Sequence, residues 1–301
     1  MIKMISSTEI SEKFQIDHFG SAISINKPSS LKNPKKNSIV FLKKYVKNDI
    51  KNISEKDSIF FILPDNSSKK ELISMGVTFA LSEDPKKTFF SAIETFLSVK
   101  NNASAFISPS SSISSNTKIG KNVFIDSGTI IDGDCIIEDN VHISKNCLII
   151  GPCKIGKNTY LSSNVLLGEE SLSIRYNNRI PSQNIQLGGI SIGKNCRIGM
   201  KSSISRGTID DTIIQNNVMI GEYVHIGHNA TVKDNCILTL KSSICGSVTL
   251  NEDCWLGPHS VILSQVKVSK NIKLAANSVL YSNVRREGTY LGNPAKLFSK
   301  K

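Results

Sequence analysis

An aliphatic residue recurs at every sixth position through most of the second two-thirds of this chain. The register holds over residues 107–167, 192–204 and 214–280, where each marker position carries Ile, Leu or Val. In an α-helix, aliphatic side chains six positions apart would spiral around the axis and form no single apolar face. The period therefore predicts a solenoid, in which each hexad forms one side of a triangular coil of about 18 residues.

The register is broken in two places. The first break covers "GEESLSIRYNNRIPSQNIQLGG", near residues 168–191, and the second inserts four residues around "SRGTIDDT", near residues 205–213. A solenoid accommodates extra residues as loops that leave its stacked coils. We therefore predict a parallel β-helix over residues 104–301 with loop insertions at these two sites.

Residues 1–103 follow a different pattern, in which strand-like and helix-like segments alternate. The segments "NSIVFLKKY", "DSIFFILP" and "VTFALS" are typical of strands. The segment "SKKELISMG" is typical of a helix closed by Gly76, and "DPKKTFFSAIETFLSV" of an amphipathic helix that begins near Pro85. The sequence therefore predicts a mainly β protein in which a small α/β domain, residues 1–103, is joined through "KNNASAF" to the β-helix.

The positive charge of the chain is spread over both predicted domains. The formal net charge of +12 divides into +5 in residues 1–103 and +7 in residues 104–301, and aromatic residues make up only 6%. Nucleic-acid-binding proteins more often concentrate basic residues on one face with aromatics between them, so we expect no nucleic-acid partner. Diffuse positive charge suits phosphorylated small molecules or an acidic carrier protein.

The sequence shows no targeting or membrane segment. It has no run of about 18 apolar residues, and the N-terminal "MIKMISSTEISEKF" is too polar for the apolar region of a secretory signal. We therefore expect a cytoplasmic protein without a membrane span.

Six of the seven cysteines follow the repeat. No CxxC pair occurs, and six cysteines lie four residues after a marker aliphatic residue, in a slot that also carries Ser, Thr, Asn and Ala. Small side chains therefore suit this slot, and we expect the cysteines to fill the core rather than to form a metal or redox site.

The hexad pattern "[ILV]-G-x-x-[small]-x" resembles that of the hexapeptide-repeat acyltransferases. The resemblance implies a left-handed parallel β-helix, although the general preference for right-handed crossovers would predict the opposite hand. It also implies a homotrimer with active sites between subunits.

The two-domain layout and the segment "ISRGTIDDTIIQNNVMIGEYVHIGHNATVKDN" resemble the UDP-3-O-acylglucosamine N-acyltransferases of lipid A synthesis. The resemblance implies acyl transfer to a sugar amine, with His228 as the general base. An imidazole can accept the proton of the amine at neutral pH. Gly246 lies 18 residues further on, so it should be one coil away, and its N–H could stabilise an oxyanion.

The resemblance also names residues for the substrate, with two interpretations open for most of them. Asn229, Asp210 and Asp211 are candidates for sugar binding, although the two aspartates could instead cap their loop. Phe41 and Tyr45 could stack on a nucleotide base or serve only as core residues of the small domain.

Glu222 stands where the family has an asparagine. A carboxylate cannot donate a hydrogen bond to an oxyanion, so Glu222 is left to orient an imidazole, to bind the incoming ammonium, or to be a solvated turn residue. A second family histidine corresponds to Gln265, and His259 lies near but not on a family position.

The last residues, "VRREGTYLGNPAKLFSKK", resemble the tail of coenzyme-A-dependent sugar acetyltransferases rather than the helical extension of the lipid A enzymes. Arg285, Arg286 and Lys296 could contact cofactor phosphates there, or be solvated. The aromatic "GFGY" segment of the lipid A enzymes is also replaced in the first insertion.

These departures favour transfer of a short acyl group, acetyl or 3-hydroxyacyl, from acyl-CoA to a nucleotide-linked amino sugar for a surface glycan. No tightly bound cofactor is expected. The alternative is the lipid A enzyme itself, with acyl carrier protein as donor.

Two further classes remain open. A zinc hydratase of the carbonic anhydrase type would use His225 and His228 with His142 or His259 as ligands. A non-catalytic scaffold would need none of these residues, and His225 would then be a surface or subunit-contact residue.

Overall fold

The computed structural model describes residues 4–97 and 105–298. The chain divides into two compact units, Met1–Asn102 and Ala103–Lys301. The predicted boundary after residue 103, and residues 100–104 of the predicted join, lie outside the described residues.

The first unit is built on a five-stranded sheet, of which four strands are parallel. The strand order across the sheet is His18–Phe19, Thr78–Ser82, Ile59–Pro64, Ser38–Phe41 and Lys27–Pro28, and the first of these is antiparallel to its neighbour. The strands Ile5–Ser6 and Ser24–Ile25 form a separate antiparallel pair. The helices are Ser7–Phe14, Lys47–Lys51, Lys69–Ser74, and Pro85–Ala92 with its π-helical continuation Ile93–Leu97, and Lys56–Ser58 is a 3₁₀ turn.

Local chemistry explains where two of these helices begin or end. The Asp84 side chain accepts a hydrogen bond from Lys87 N at 3.0 Å, and Pro85 occupies the first helical position, where its missing N–H costs nothing. Gly76 adopts a φ of 66° just after the helix Lys69–Ser74. The prediction of a small N-terminal α/β region is confirmed.

Alternate residues of the central strands pack on opposite sides of this sheet. Val40 and Phe61 belong to one core with the helix Lys69–Ser74, whereas Ile39 and Phe60 belong to a second core with the helix Pro85–Ala92. The unit is therefore a sheet covered on both sides. Across the described residues, no helix has the length and apolar character needed to cross a membrane.

The second unit is a β-helix with three parallel faces, A, B and C, which the chain visits in that order. Face A contains Phe106–Ile107, Phe124–Ile125, His142–Ile143, Tyr160–Leu161, Arg197–Ile198, Met219–Ile220, Ile237–Leu238, Trp255–Leu256, Ile272–Leu274, Gly288–Leu291 and the antiparallel Lys296–Leu297. Face B contains Ser112–Ile113, Ile130–Asp132, Leu148–Ile150, Leu166–Leu167, Ser203–Ile204, His225–Ile226, Ser243–Ile244, Val261–Ile262 and Val279–Leu280. Face C contains Lys118–Ile119, Cys135–Ile137, Cys153–Ile155, Ile190–Ile192, Thr212–Ile214, Thr231–Val232, Thr249–Leu250 and Lys267–Val268. We call the turns between successive faces corners AB, BC and CA.

The strand register follows the period of the sequence. Ile226 pairs with Ile244, 18 residues later. Leu167 pairs with Ile204 and Ile204 with Ile226, so the separations of 37 and 22 residues correspond to 19 and four inserted residues. Both insertions follow a face B strand and therefore leave the helix at corner BC. The first one forms an antiparallel hairpin of Ile174–Asn177 and Ile180–Gln183.

The interior of the β-helix is filled by the marker aliphatic residues and the small-residue slot. The buried cluster includes the markers from Ile125 to Leu280 and six cysteines, none of them in a disulfide. Burial raises the pKa of the Cys147 thiol to about 11, so this thiol is neutral and unreactive at physiological pH. These six cysteines are therefore core residues.

Corner CA carries a ladder of asparagine side chains. One asparagine per coil adopts a left-handed φ of 54–61°, which asparagine tolerates better than most residues. Each side-chain amide donates to the carbonyl or carboxylate oxygen of the next, at 3.1–3.3 Å, through Asn122, Asn140, Asn158, Asn195, Asn217, Asn235 and Asp253. The ladder runs through the coils on both sides of the insertions.

Candidate functional site

His228 lies at corner BC, two residues after the face B strand His225–Ile226. Asn229, the next residue, has a left-handed φ of 58°, so the chain turns sharply here. The imidazole of His228 is partly buried against the coils on either side.

Gly246 lies against His228, one coil further on. A Cβ atom at residue 246 would come within 2.5 Å of His228 Nε2 and 2.9 Å of both adjacent ring carbons. A glycine is therefore needed to leave room for the ring. Within residues 105–298 the Gly246 N–H donates to no protein acceptor, so it is available to a ligand.

The other ring nitrogen of His228 faces a network around Asn229. His228 Nδ1 is 3.0 Å from Asn229 Oδ1 and 3.4 Å from the hydroxyl of Thr208. Asn229 Oδ1 also accepts from Thr208 N at 3.0 Å, and Asn229 Nδ2 donates to the carbonyl of Asp210 at 2.8 Å. The backbone N–H of Asn229 donates to the hydroxyl of Thr212 at 2.9 Å. The second insertion is thus bonded directly to the residue beside His228.

Arg206 joins the two insertions to each other. Its Nε donates to the carbonyl of Gly188 at 2.9 Å, and its Nη2 donates to the carbonyl of Gly151 at 2.7 Å. Thr208 O accepts from Leu187 N at 2.8 Å. The sequence motif "RGTIDDT" contains both Arg206 and Thr208, but their partners come from segments that only the fold brings together.

The two aspartates of the second insertion hold the loop. Asp211 accepts a hydrogen bond from the Gly189 N–H at 2.8 Å. Asp210 uses its backbone carbonyl to bind Asn229, and its side chain is exposed. Of the two roles open from the sequence, these contacts favour loop capping for Asp211 and leave the Asp210 carboxylate accessible to a ligand.

Glu222 is placed at a different corner. It lies at corner AB with an exposed side chain, and its backbone carbonyl accepts from Lys241 N at 2.9 Å. A full strand of face B separates it from His228, so within one chain Glu222 neither orients that imidazole nor shares its site. His259 lies at the same corner AB, whereas Gln265 lies at corner BC, where its N–H donates to Gly246 O at 2.9 Å.

The histidines proposed as zinc ligands are distributed over the β-helix. His142 lies on face A, stacked between Phe124 and Tyr160 at ring distances of 4.4 and 4.5 Å. His225 lies on face B, where its Nδ1 is 2.9 Å from the Ser203 hydroxyl. Within a single chain, these side chains do not gather with His228, and no three His, Cys, Asp or Glu residues of the described ranges form a metal-binding group.

Phe41 and Tyr45 cannot hold one nucleotide base between them. Phe41 packs on Phe89, at a ring distance of 4.8 Å, in one core of the α/β unit. Tyr45 packs against the core on the other side of the sheet and donates to Glu71 at 2.7 Å. The two rings therefore pack on opposite sides of the sheet and do not face each other, and each has the packing contacts expected of a core residue.

The basic residues of the C-terminal segment are solvated. Arg285, Arg286 and Lys296 are exposed, and Arg285 lines a shallow cavity of about 300 Å³ together with Glu252 and Glu287. Lys270 also lines this cavity, so two basic and two acidic side chains surround it and the lining has no net positive charge to attract a phosphate.

Comparison with protein families identifies the repeat. Residues 116–149, 134–169 and 211–239 match the family described as "Bacterial transferase hexapeptide (six repeats)", and residues 189–222 match "Hexapeptide repeat of succinyl-transferase". The second match spans the end of one insertion and the whole of the other.

Curated relatives resemble a short part of the chain. The chain is 53% identical over 47 residues to UDP-3-O-acylglucosamine N-acyltransferase of Saccharophagus degradans, and 42% identical over 62 residues to that of Acinetobacter baumannii strain AYE. These stretches cover 16% and 21% of this chain, and 14% and 17% of the relatives. The chain thus matches less than a fifth of the length of either protein.

A solved structure matches a longer part of the fold. UDP-N-acetylglucosamine acyltransferase from Campylobacter jejuni is 27% identical, with a TM-score of 0.58, over 64% of this chain and 74% of that chain. The predicted class, a left-handed β-helix of hexapeptide repeats, is thereby confirmed.

Proposed function

We propose that this chain, which folds as a left-handed β-helix with the hexapeptide repeats of bacterial transferases, is an N-acyltransferase. Its acceptor is the amino group of a UDP-linked 3-O-acylglucosamine, and its donor is an acyl thioester. The names of the matched relatives support this acceptor, and with it the second of the two sequence-based interpretations. A homotrimer in the cytoplasm is part of the same proposal.

The observation that carries the proposal is the pairing of His228 with Gly246. The ring nitrogen Nε2 faces the backbone of the next coil, where only a glycine fits and where a main-chain N–H is free. A base and an oxyanion donor therefore lie beside the same small volume. Acyl transfer needs both groups within reach of one carbonyl.

The reaction follows from this geometry. The sugar amine attacks the thioester carbon and forms the C–N bond, while His228 Nε2 accepts a proton from the amine nitrogen. The carbonyl electron pair moves to oxygen, where the Gly246 N–H stabilises the oxyanion. Collapse of this intermediate breaks the C–S bond, and the imidazolium returns its proton to the leaving thiolate. The products are an amide and a free thiol.

The donor could be acyl carrier protein or acyl-CoA. The net charge of +12 favours either one, because the carrier protein is acidic and coenzyme A is phosphorylated. Transfer of a short acyl group from acyl-CoA is the second candidate function, supported by the exposed Arg285, Arg286 and Lys296.

The test measures thiol release from 3-hydroxyacyl carrier protein, 3-hydroxybutyryl-CoA and acetyl-CoA, each with UDP-3-O-acylglucosamine and with UDP-, dTDP- and GDP-amino sugars. We expect turnover with the carrier protein and UDP-3-O-acylglucosamine. Turnover only with a short acyl-CoA and a simple amino sugar would replace the proposal by the second candidate. The absence of thiol release with every pair would refute both.

A further inference from the structure

Asn229 is a candidate for substrate binding from the sequence, but both polar atoms of its side chain already bind groups of the same chain. Its Oδ1 accepts from Thr208 N and contacts His228 Nδ1, and its Nδ2 donates to Asp210 O. We propose that Asn229 is a positioning residue that holds His228 as the tautomer with hydrogen on Nδ1 and a free lone pair on Nε2. The inference deepens the proposed function, since it assigns how the base is prepared.

The two backbone contacts of Asn229 determine which way its amide points. Oxygen and nitrogen of an asparagine amide have nearly the same shape, so hydrogen-bond partners must distinguish them. Thr208 N–H can only donate and Asp210 C=O can only accept. A flipped amide would place NH₂ against N–H and oxygen against oxygen. Oδ1 therefore faces Thr208 and His228.

The amide orientation in turn determines the tautomer of His228. Oδ1 can only accept, and it lies 3.0 Å from Nδ1, so Nδ1 carries the hydrogen. In a neutral imidazole the other nitrogen is then unprotonated. That nitrogen, Nε2, is the one that faces Gly246. The base thus presents its lone pair where the substrate must lie.

An asparagine achieves this without adding charge beside the ring. A carboxylate at the same place would favour the imidazolium, which cannot accept a proton. Among the charged groups of the loop packed on Asn229, Asp211 accepts a hydrogen bond from Gly189 N and Arg206 donates to two carbonyls. Asp210 contacts Asn229 through its backbone oxygen, and its side chain is exposed. The network therefore orients the His228 ring without placing a charged group against Nδ1.

The test reads the tautomer directly. Long-range ¹H–¹⁵N spectra of histidine-labelled protein, compared with His228→Gln for assignment among the five histidines, report which nitrogen is protonated. We expect hydrogen on Nδ1 in the native protein and a mixture of tautomers in Asn229→Ala. A dominant Nε2–H form in the native protein, or an unchanged His228 spectrum in Asn229→Ala, would overturn the proposal. Because no substrate is present, this result is independent of the proposed function.

Kinetics give the second readout. In Asn229→Ala we expect kcat to fall at least about tenfold, since a wrong tautomer removes the base. In Asn229→Asp the rise of kcat/KM with pH should move to higher pH by about 1 unit. The matched control is Asn235→Ala, which loses an asparagine of the same backbone conformation at corner CA. A pH profile unchanged in Asn229→Asp would contradict the assignment.

Discussion

Corners BC and CA are built from the same hexad, yet they differ in what their asparagines bind. At corner CA, Asn217 and Asn235 have left-handed backbones and bind the equivalent residues of neighbouring coils. At corner BC, Asn229 has the same backbone conformation but binds His228 and the second insertion. One residue type in one conformation therefore serves as a structural ladder at one edge and as part of a candidate site at another.

The insertions cause this difference. At corner CA the coils stack without interruption, so each asparagine finds another one at about the strand spacing of ~4.8 Å. At corner BC the turn of the preceding coil contains the second insertion, and the backbone groups Thr208 N and Asp210 O contact Asn229. Interrupting the repeat thus gives Asn229 partners in the insertion and leaves the asparagine ladder at corner CA intact.

The largest expected effect comes from His228→Ala. If corner BC is catalytic, acyl transfer should fall by about 10²–10⁴, because a general base contributes that much. The melting temperature should change little, since the ring is only partly buried. Steady-state thiol release measures the loss, with His259→Ala at corner AB as the control. A loss of activity of only a few-fold would show that His228 is not the general base.

The second-largest loss of activity is expected from Gly246→Ala. The added methyl would meet the His228 ring at 2.5 Å, so the imidazole must move away from the position of the acyl carbonyl. We expect kcat to fall by about 10², because misplacement by about 1 Å has that cost. Ser264→Ala, one coil further along the same corner, should keep full activity. Equal kcat values for the two variants would show that Gly246 is needed only for packing.

Asn235→Ala tests whether the asparagine ladder at corner CA is purely structural. This substitution removes two ladder hydrogen bonds and places alanine in a left-handed conformation. We expect the free energy of unfolding to fall by about 1–2 kcal/mol, measured by denaturant titration, with kcat unchanged. A large loss of activity in this variant would mean that corner CA is not purely structural.

The smallest effect concerns acid stability at corner CA. A hydrogen bond from Lys121 N, at 2.9 Å, and the Lys157 ammonium, at 3.1 Å, lower the pKa of Asp139. Because the folded-state pKa is the lower one, this contribution is present above the ordinary value of ~3.9 and is lost as the pH falls through the folded-state value.

Asp139→Asn should therefore weaken the decline of melting temperature between about pH 5 and pH 3. Glu287→Gln, an exposed carboxyl of the same unit, is the control. In Glu287→Gln, the melting temperature should fall with decreasing pH as steeply as in the native protein. If the melting temperature of Asp139→Asn falls as steeply as that of the native protein, Asp139 makes no such contribution to stability.

Much of the architecture could be predicted because it depends on short-range rules. The six-residue period specifies which side chains point inward, and the 18-residue coil places Gly246 beside His228. The asparagine ladder also has a sequence signal, since asparagine recurs at 18-residue intervals from Asn122 to Asn158 and from Asn217 to Asn235.

Two spatial relations between candidate site residues could not be predicted from the repeat or from strand alternation. Phe41 and Tyr45 are close in the sequence, but the strand ends at Phe41, so alternation no longer indicates the side on which Tyr45 packs. Glu222 lies six residues from His228, yet one hexad is one full side of the triangle, and the two residues are at different corners. The sequence distance was thus misleading at both sites.

The sequence by itself determined the β-helix, its three sides, its core and the coil-to-coil neighbours of His228. Stacked coils contact only their neighbours, so a regular period is sufficient to specify them. Only the tertiary structure decided that Arg206 joins the two insertions and that Asn229 contacts both the second insertion and His228. Those contacts link segments up to 55 residues apart through single hydrogen bonds, and no local pattern encodes such pairings.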